Sequence, residues 1–201
     1  MRRIDVLKLE ELIKVCRWMN TSGLSPATSG NYSIRGDKED TCFVSASGVD
    51  KGNLRVADFL EFSLREPDYN TEIKPSDEAP IHVKLLQMHA DAECVLHAHS
   101  VTNTIIGLIY ADAEYIEFSG FEMQKAFTGI KTHEEPIRVP IIDNTQDIMG
   151  LAETFGGFEL PCFILRGHGV YVWGNSVWQA KRHLEGLEFL IECKLAMRRY
   201  M

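Results

Sequence analysis

Cys94-Val95-Leu96-His97-Ala98-His99-Ser100 joins an apolar run to two histidines spaced i, i+2. Side chains alternate between the two faces of a strand, so His97 and His99 emerge on the same side, which is half of a metal site. Imidazole suits a divalent transition metal, and a catalytic zinc takes three protein ligands and keeps one position open for water or substrate. The third ligand is sought in Arg166-Gly167-His168-Gly169, where a glycine on each side permits a turn that exposes the ring of His168. Taken alone, the pair also reads as two half-buried strand histidines; the glycine-flanked third histidine and nearby acids favour a metal centre.

Two glutamates bear on proton chemistry. Glu78 precedes His82 by four residues on a predicted helix, so the two share a face. Glu122, in Gly120-Phe121-Glu122-Met123, lies some twenty residues beyond the histidine pair. A metal that polarises a carbonyl beside a carboxylate is what proton abstraction next to that carbonyl requires: the metal stabilises the enediolate and the carboxylate moves the proton. From the residues alone either glutamate fills that role, and each also reads as a first-turn helix acid or a solvated surface group.

Small polar loops ahead of the metal stretch suit a phosphate. Ser29-Gly30-Asn31, Ser47-Gly48 and Ser76 at a predicted helix N-terminus offer hydroxyl, amide and backbone N–H donors, and Lys51 adds a charge. Any one of these is explained by an ordinary turn, so the weight lies in their recurrence. His89, His133 and His183 read as helix-end or surface residues, and Trp173 and Trp178 as core.

The elements that must position these groups follow from periodicity. Leu9, Leu12, Ile13, Cys16 and Met19 give an amphipathic helix over residues 5–20, ended by Gly23 and Pro26. Ala27–Arg35 reads as a polar, glycine-containing turn feeding a short strand, and further strands are predicted at Thr41–Ser45 and Phe59–Leu64. A helix capped by Ser76 is expected to run to His89, followed by the histidine strand Glu93–Ala98. Val101–Ile109 reads as a buried helix, with strand as the alternative. Beyond it come a short helix near Gly120–Phe127, a strand at Ile137–Val139, and a helix capped by Asn144. Phe163–Arg166 and Val170–Trp173 flank the Gly-His-Gly turn as a hairpin, and the last helix runs from Ser176 to Arg198. The order predicts an α/β fold: three layers, with a central, mainly antiparallel sheet flanked by helices.

At 201 residues and 45% hydrophobic content, the chain is long enough for one sizeable core and is read as one domain, residues 1–201. A net charge of −8 argues against a nucleic-acid partner. Five scattered cysteines without a Cys-x-x-Cys pair match a reducing compartment. No stretch approaches the about 18 apolar residues of a membrane span, and charge interrupts the N-terminus early, so a cytoplasmic protein is expected.

Ser29-Gly30-Asn31-Tyr32-Ser33, Ser47-Gly48, Lys74-Pro75-Ser76-Asp77-Glu78 with His82, His97-Ala98-His99-Ser100 and Gly167-His168-Gly169 together resemble the class II aldolase/adducin family over nearly the whole chain. Gly120–Ala126, Val139–Ile148 and Ile164–Gly174 are most similar to its dehydratase branch, which acts on methylthioribulose 1-phosphate in methionine salvage. The resemblance implies one zinc per subunit on His97, His99 and His168, and a homotetramer with sites near subunit boundaries. It implies that Glu122 matches the acid/base of dehydratase relatives and Glu78 that of aldolase relatives. Asn31, Ser47, Gly48, Lys51 and Ser76 are the expected anchors of a sugar phosphate. Asp77 stands where several aldolases carry a second serine, so one phosphate hydroxyl donor is missing there, and its carboxylate would repel a phosphate unless it points away. The expected activity is a zinc-dependent hydro-lyase giving 2,3-diketo-5-methylthiopentyl 1-phosphate. A sugar-phosphate aldolase or epimerase, and a non-catalytic adducin-like module, are the alternatives.

Overall fold

The computed structural model describes residues 1–198. Helix α1 (Arg3–Thr21) buries Leu9, Leu12, Ile13, Cys16 and Met19, the stripe that its 3.6-residue period demands. Strands β1 (Asn31–Arg35), β2 (Thr41–Ser45) and β3 (Phe59–Ser63) form an antiparallel meander. Helix α2 (Ala79–Met88) leads into β4 (Cys94–Ala98), which pairs antiparallel with β1. Helix α3 (Val101–Ile109), a hairpin of β5 (Tyr115–Phe118) and β6 (Ile137–Ile142), and helix α4 (Ile148–Glu153) follow. Strands β7 (Cys162–Leu165) and β8 (Gly169–Gly174) make the second hairpin, and α5 (Val177–Met197) closes the described chain.

The eight strands form one sheet in the order β3-β2-β1-β4-β8-β7-β6-β5. Only β6 and β7 run parallel, so the mainly antiparallel sheet expected from the sequence is present. Helices α1, α3 and α5 cover one face, meeting Leu96, Ala98, Ile164 and Val172. Helices α2 and α4 cover the other, over Val95, Phe163 and Tyr171. The alternation along β4 is therefore explicit: Leu96 and Ala98 turn to the first layer, Val95 and His97 to the second.

Several local expectations differ from the structure. Trp178, read as core, is 63% exposed, and His183, read as a helix-end or surface residue, is buried with its Nδ1 at the Trp173 carbonyl. The edge strand β5 was not foreseen, because four residues alternating exposed and buried acquire strand character only from pairing with β6. Helix α3 buries Asn103, Ile106 and Gly107 but leaves Val101, Ile105 and Leu108 exposed, so it is not a buried helix. Helix α2 begins at Ala79, with Glu78 rather than Ser76 at the capping position; the Ser76 hydroxyl accepts from the Glu78 N–H and from Asn31 in the turn before it. Helix α4 is capped by Asp147, whose side chain accepts from the Gly150 N–H, while Asn144 is turned towards His168.

Candidate metal centre

The register of three adjacent strands builds the site. Asn31 on β1 stands opposite His97 on β4, and His97 stands opposite Tyr171 on β8. Directly opposed residues share a face, so the three side chains are neighbours by construction. Tyr171 stacks on the His97 ring, with centroids 4.1 Å apart. His99 lies one residue past the end of β4. His168 sits in the β7–β8 turn, where Gly167 takes a φ of +67°, a conformation that favours glycine. The Nε2 atom of His97 is 2.8 Å from that of His99 and 3.3 Å from that of His168.

The outer nitrogens decide what faces inward. His97 Nδ1 lies 3.0 Å from the Val170 carbonyl, so it carries the proton and Nε2 presents a lone pair to the cluster. His168 Nδ1 approaches Asn144 Oδ1 at 3.3 Å, with the same consequence. Burial lowers the pKa of His97; burial, with the His97 and His168 imidazoles close by, takes that of His99 down to about 3. The Nε2 atoms of His97 and His168 turn their lone pairs towards the His99 ring, and three imidazoles so gathered are the donor set that a divalent transition metal takes. The histidine triplet therefore fits a metal ion.

Glu78 stands beside it. Its Oε2 lies 3.4 Å from His97 Nε2 and its Oε1 3.4 Å from His168 Nε2. Asn31 donates to Oε2 at 2.6 Å and to Ser76 Oγ at 3.0 Å. Burial raises the Glu78 pKa; positive charge on the His97 ring, the Asn31 donor and positive charge on the His168 ring act against it and pull the carboxyl below its ordinary range. An isolated bridge between Ala46 and Pro75 brings the Ser47-Gly48 turn alongside Ser76, so these donors form one rim with Asn31. Lys51 is 2% exposed and donates to the Ala46 carbonyl at 3.3 Å, so its charge lies behind the rim. Asp77 is exposed and paired with Lys74 at 3.0 Å.

Helix α3 is the strut of the site, since it starts beside His99 and ends beside His168. Ser100 caps it, and Glu188 on α5 accepts from Ser100 Oγ at 2.8 Å and Asn103 Nδ2 at 2.7 Å. Thr104 donates to the His168 carbonyl at 3.0 Å. A Cβ on Gly107 would come within 3.1 Å of the Arg166 and Gly167 backbone, so helix and turn are in direct contact there. Arg166 donates to the Tyr110 and Ala113 carbonyls at the end of the helix.

Of the residues singled out in the sequence, His97, His99, His168, Glu78, Asn31 and Ser76 are brought together. Glu122 is not with them. It lies in a short turn of helix, 70% exposed, 2.6 Å from Lys125 and 2.9 Å from His133. The hollow it lines includes Phe121, Met123, Arg182 and Phe189 and none of the three histidines. Tyr171, Ser33 and Asn144 escape sequence reasoning, because their places depend on cross-strand register or on a loop path that no local pattern encodes.

A model of the Class II Aldolase and Adducin N-terminal domain matches residues 10–195. The chain is 42% identical over 199 residues to a methylthioribulose-1-phosphate dehydratase of Enterobacter sp. (strain 638), covering 96% of this chain and 97% of the relative. A protein of the same name from Yersinia enterocolitica is 40% identical, with 96% and 93% covered. Among solved structures, an L-fuculose-1-phosphate aldolase from Thermus thermophilus superposes with a TM-score of 0.76 at 21% identity, covering 98% of this chain and 97% of that one. A sugar-phosphate aldolase from Thermotoga maritima gives 0.68 at 17% identity, with 96% of each chain covered. The two structural likenesses bear on the fold.

Proposed function

The chain belongs to the class II aldolase and adducin family, and from that premise we propose that it is a zinc-dependent dehydratase converting methylthioribulose 1-phosphate to 2,3-diketo-5-methylthiopentyl 1-phosphate. The observation that carries the reading is the carboxylate of Glu78 beside three converging imidazole nitrogens, in a chain 42% identical over nearly its full length to a dehydratase of that name. One zinc held by His97, His99 and His168 would supply Lewis acidity to the substrate carbonyl. The rest falls to the chain's own groups.

Ser76 and the Ser47-Gly48 turn hold the phosphate, with Lys51 contributing positive potential from behind; Asn31, expected from the sequence as an anchor, has both amide hydrogens on Glu78 and Ser76 and acts by holding those two groups. Binding there turns remote contacts into orientation at the reacting carbons. A carboxylate takes the C3 proton, the C4 hydroxyl leaves as water, and the resulting enol becomes the second ketone. Glu78 is in place for this in its own subunit. Glu122 serves a site only across a boundary between copies, which accords with a homotetramer. Support for such an assembly is the apolar stripe of α3 beside His99, where Val101 is 75% exposed and Leu108 58%. Five free cysteines, four of them buried, support residence in the cytoplasm. Among the described residues no helix is long and apolar enough to cross a membrane.

Zinc-loaded protein incubated with methylthioribulose 1-phosphate is expected to give a product lighter by one water. Release of dihydroxyacetone phosphate or glycolaldehyde instead would establish the second reading, an aldolase, to which the same histidines and Glu78 are equally open. A non-catalytic module is disfavoured by the complete histidine set; metal analysis of purified protein that finds no zinc would revive it.

A further inference from the structure

Behind Glu78 runs a line of buried side chains that the proposed reaction leaves without a task. His82, on α2, is wholly buried. Its Nδ1 lies 2.8 Å from Ser33 Oγ and its Nε2 is hydrogen-bonded to Asn31 Oδ1. Ser33 is itself fully buried and Asn31 nearly so, and both stand on β1 two residues apart, on the face that carries His97.

The donors in this line can be assigned one from the next. An asparagine amide has an N–H2 group and one oxygen, whereas a carboxylate only accepts. The Glu78 oxygen 2.6 Å away must therefore meet the Asn31 nitrogen, and the Asn31 oxygen must meet His82. An oxygen accepts, so His82 Nε2 carries the proton, and the bare Nδ1 takes the Ser33 hydroxyl proton. Burial, with the His97 ring nearby, takes the His82 pKa down to about 3, which keeps the ring in this neutral form. Were the amide reversed, two oxygens would face each other at 2.6 Å out of water, a costly arrangement.

We propose that His82 is a positioning residue: as the Nε2–H tautomer set by Ser33, it locks the Asn31 amide so that its nitrogen is presented to Glu78 and Ser76. His82 makes no hydrogen bond to the three clustered histidines or to Ser76, and acts through Asn31. Its effect is on how long the carboxylate stays aimed at the cluster, which governs turnover more than affinity.

The kinetic half of the test rests on the dehydratase reading, and the spectroscopic half does not. In zinc-loaded protein, His82→Gln places an amide nitrogen where Nε2 stands, so a donor to Asn31 survives; His82→Asn reaches only as far as Nδ1. The Asn variant is expected to lose about tenfold or more in kcat at unchanged zinc content, and the Gln variant to stay within about threefold of the parent, the scale of misplacing a group remote from the chemistry. Equal loss in both, or loss in neither, overturns the proposal. Independently, 15N spectra of histidine-labelled parent protein should show the ring that contacts Ser33 neutral and protonated on Nε2. A proton on Nδ1 overturns the proposal even if dehydration is confirmed, and the expected tautomer stands even if the substrate proves to be another sugar phosphate.

Discussion

Glu78 and Glu122 both have a claim on the proton, and their surroundings separate them. Glu78 is held by Asn31 within 3.4 Å of two of the histidine nitrogens, in a site closed to bulk water on the side of α2. Glu122 is solvated and paired with Lys125 and His133. If one acts from its own subunit and the other across a boundary, neither substitution is silent. Glu78→Gln and Glu122→Gln should each retain zinc yet lower kcat about 100-fold or more, the scale of general acid–base help. Unfolding the two variants together and reassembling them should restore part of the activity, because some sites then combine an intact Glu78 with an intact Glu122. Full activity in Glu122→Gln would remove it from the chemistry, and absence of recovery in the mixture would place its action within one chain. At this scale the three histidines were legible because a His-x-His pair, a glycine-flanked third histidine and nearby acids point to a metal centre together, though none of them does so alone. Tyr171 and Ser33 were not, since a lone polar residue in a strand says nothing until its opposite number is known, nor was Asn144, whose place depends on the path of the loop after β6.

Among the elements, α3 does the most positioning for its length. Its N-terminal turn is pinned by Ser100, Asn103 and Glu188, and its last carbonyls by Arg166, so the distance from His99 to His168 is set by a nine-residue rod. Gly107 is where rod and turn touch. Alanine in the middle of a helix ordinarily stabilises by up to about 1 kcal/mol over glycine. Here the added Cβ would stand 3.1 Å from the backbone on both sides of the Arg166–Gly167 peptide bond, so the turn must yield by a few tenths of an ångström. Gly107→Ala should therefore weaken zinc binding about tenfold, as changes behind metal ligands do, while leaving the melting temperature of chelator-treated protein nearly unchanged. Competition with a zinc-binding dye reads the first and a thermal melt the second; unchanged zinc affinity would show that the turn is positioned from elsewhere. The long amphipathic α1 and α5 and the β7–β8 hairpin were readable from periodicity and turn glycines. The start of α2, the cap of α4 and the edge strand β5 were not, because the Ser76 hydroxyl serves a turn before the helix as well as Asn31, Asn144 is drawn off to His168, and β5 exists only through β6.

For the whole molecule, gathering histidines in the interior ties stability to pH. Burial lowers the pKa of His82, His89, His97, His99 and His183, with the His82 and His99 values falling to about 3. In the unfolded chain the same rings titrate near about 6.5. Between these limits the unfolded chain binds protons that the folded one refuses, so stability is complete above about pH 6.5 and is lost as pH falls. For the wholly buried His82 alone the loss amounts to about 1.4 kcal/mol at one unit below 6.5, and the other rings act in the same direction. Zinc steepens the dependence, because its ligands must stay unprotonated to hold it. The urea midpoint of zinc-loaded protein should accordingly fall between pH 7.5 and pH 5.5, and His82→Gln, which removes one refused proton, should fall less. Equal midpoints for the parent at the two pH values would mean that these histidines take up protons in the folded state, and that the interior around the cluster is open to water.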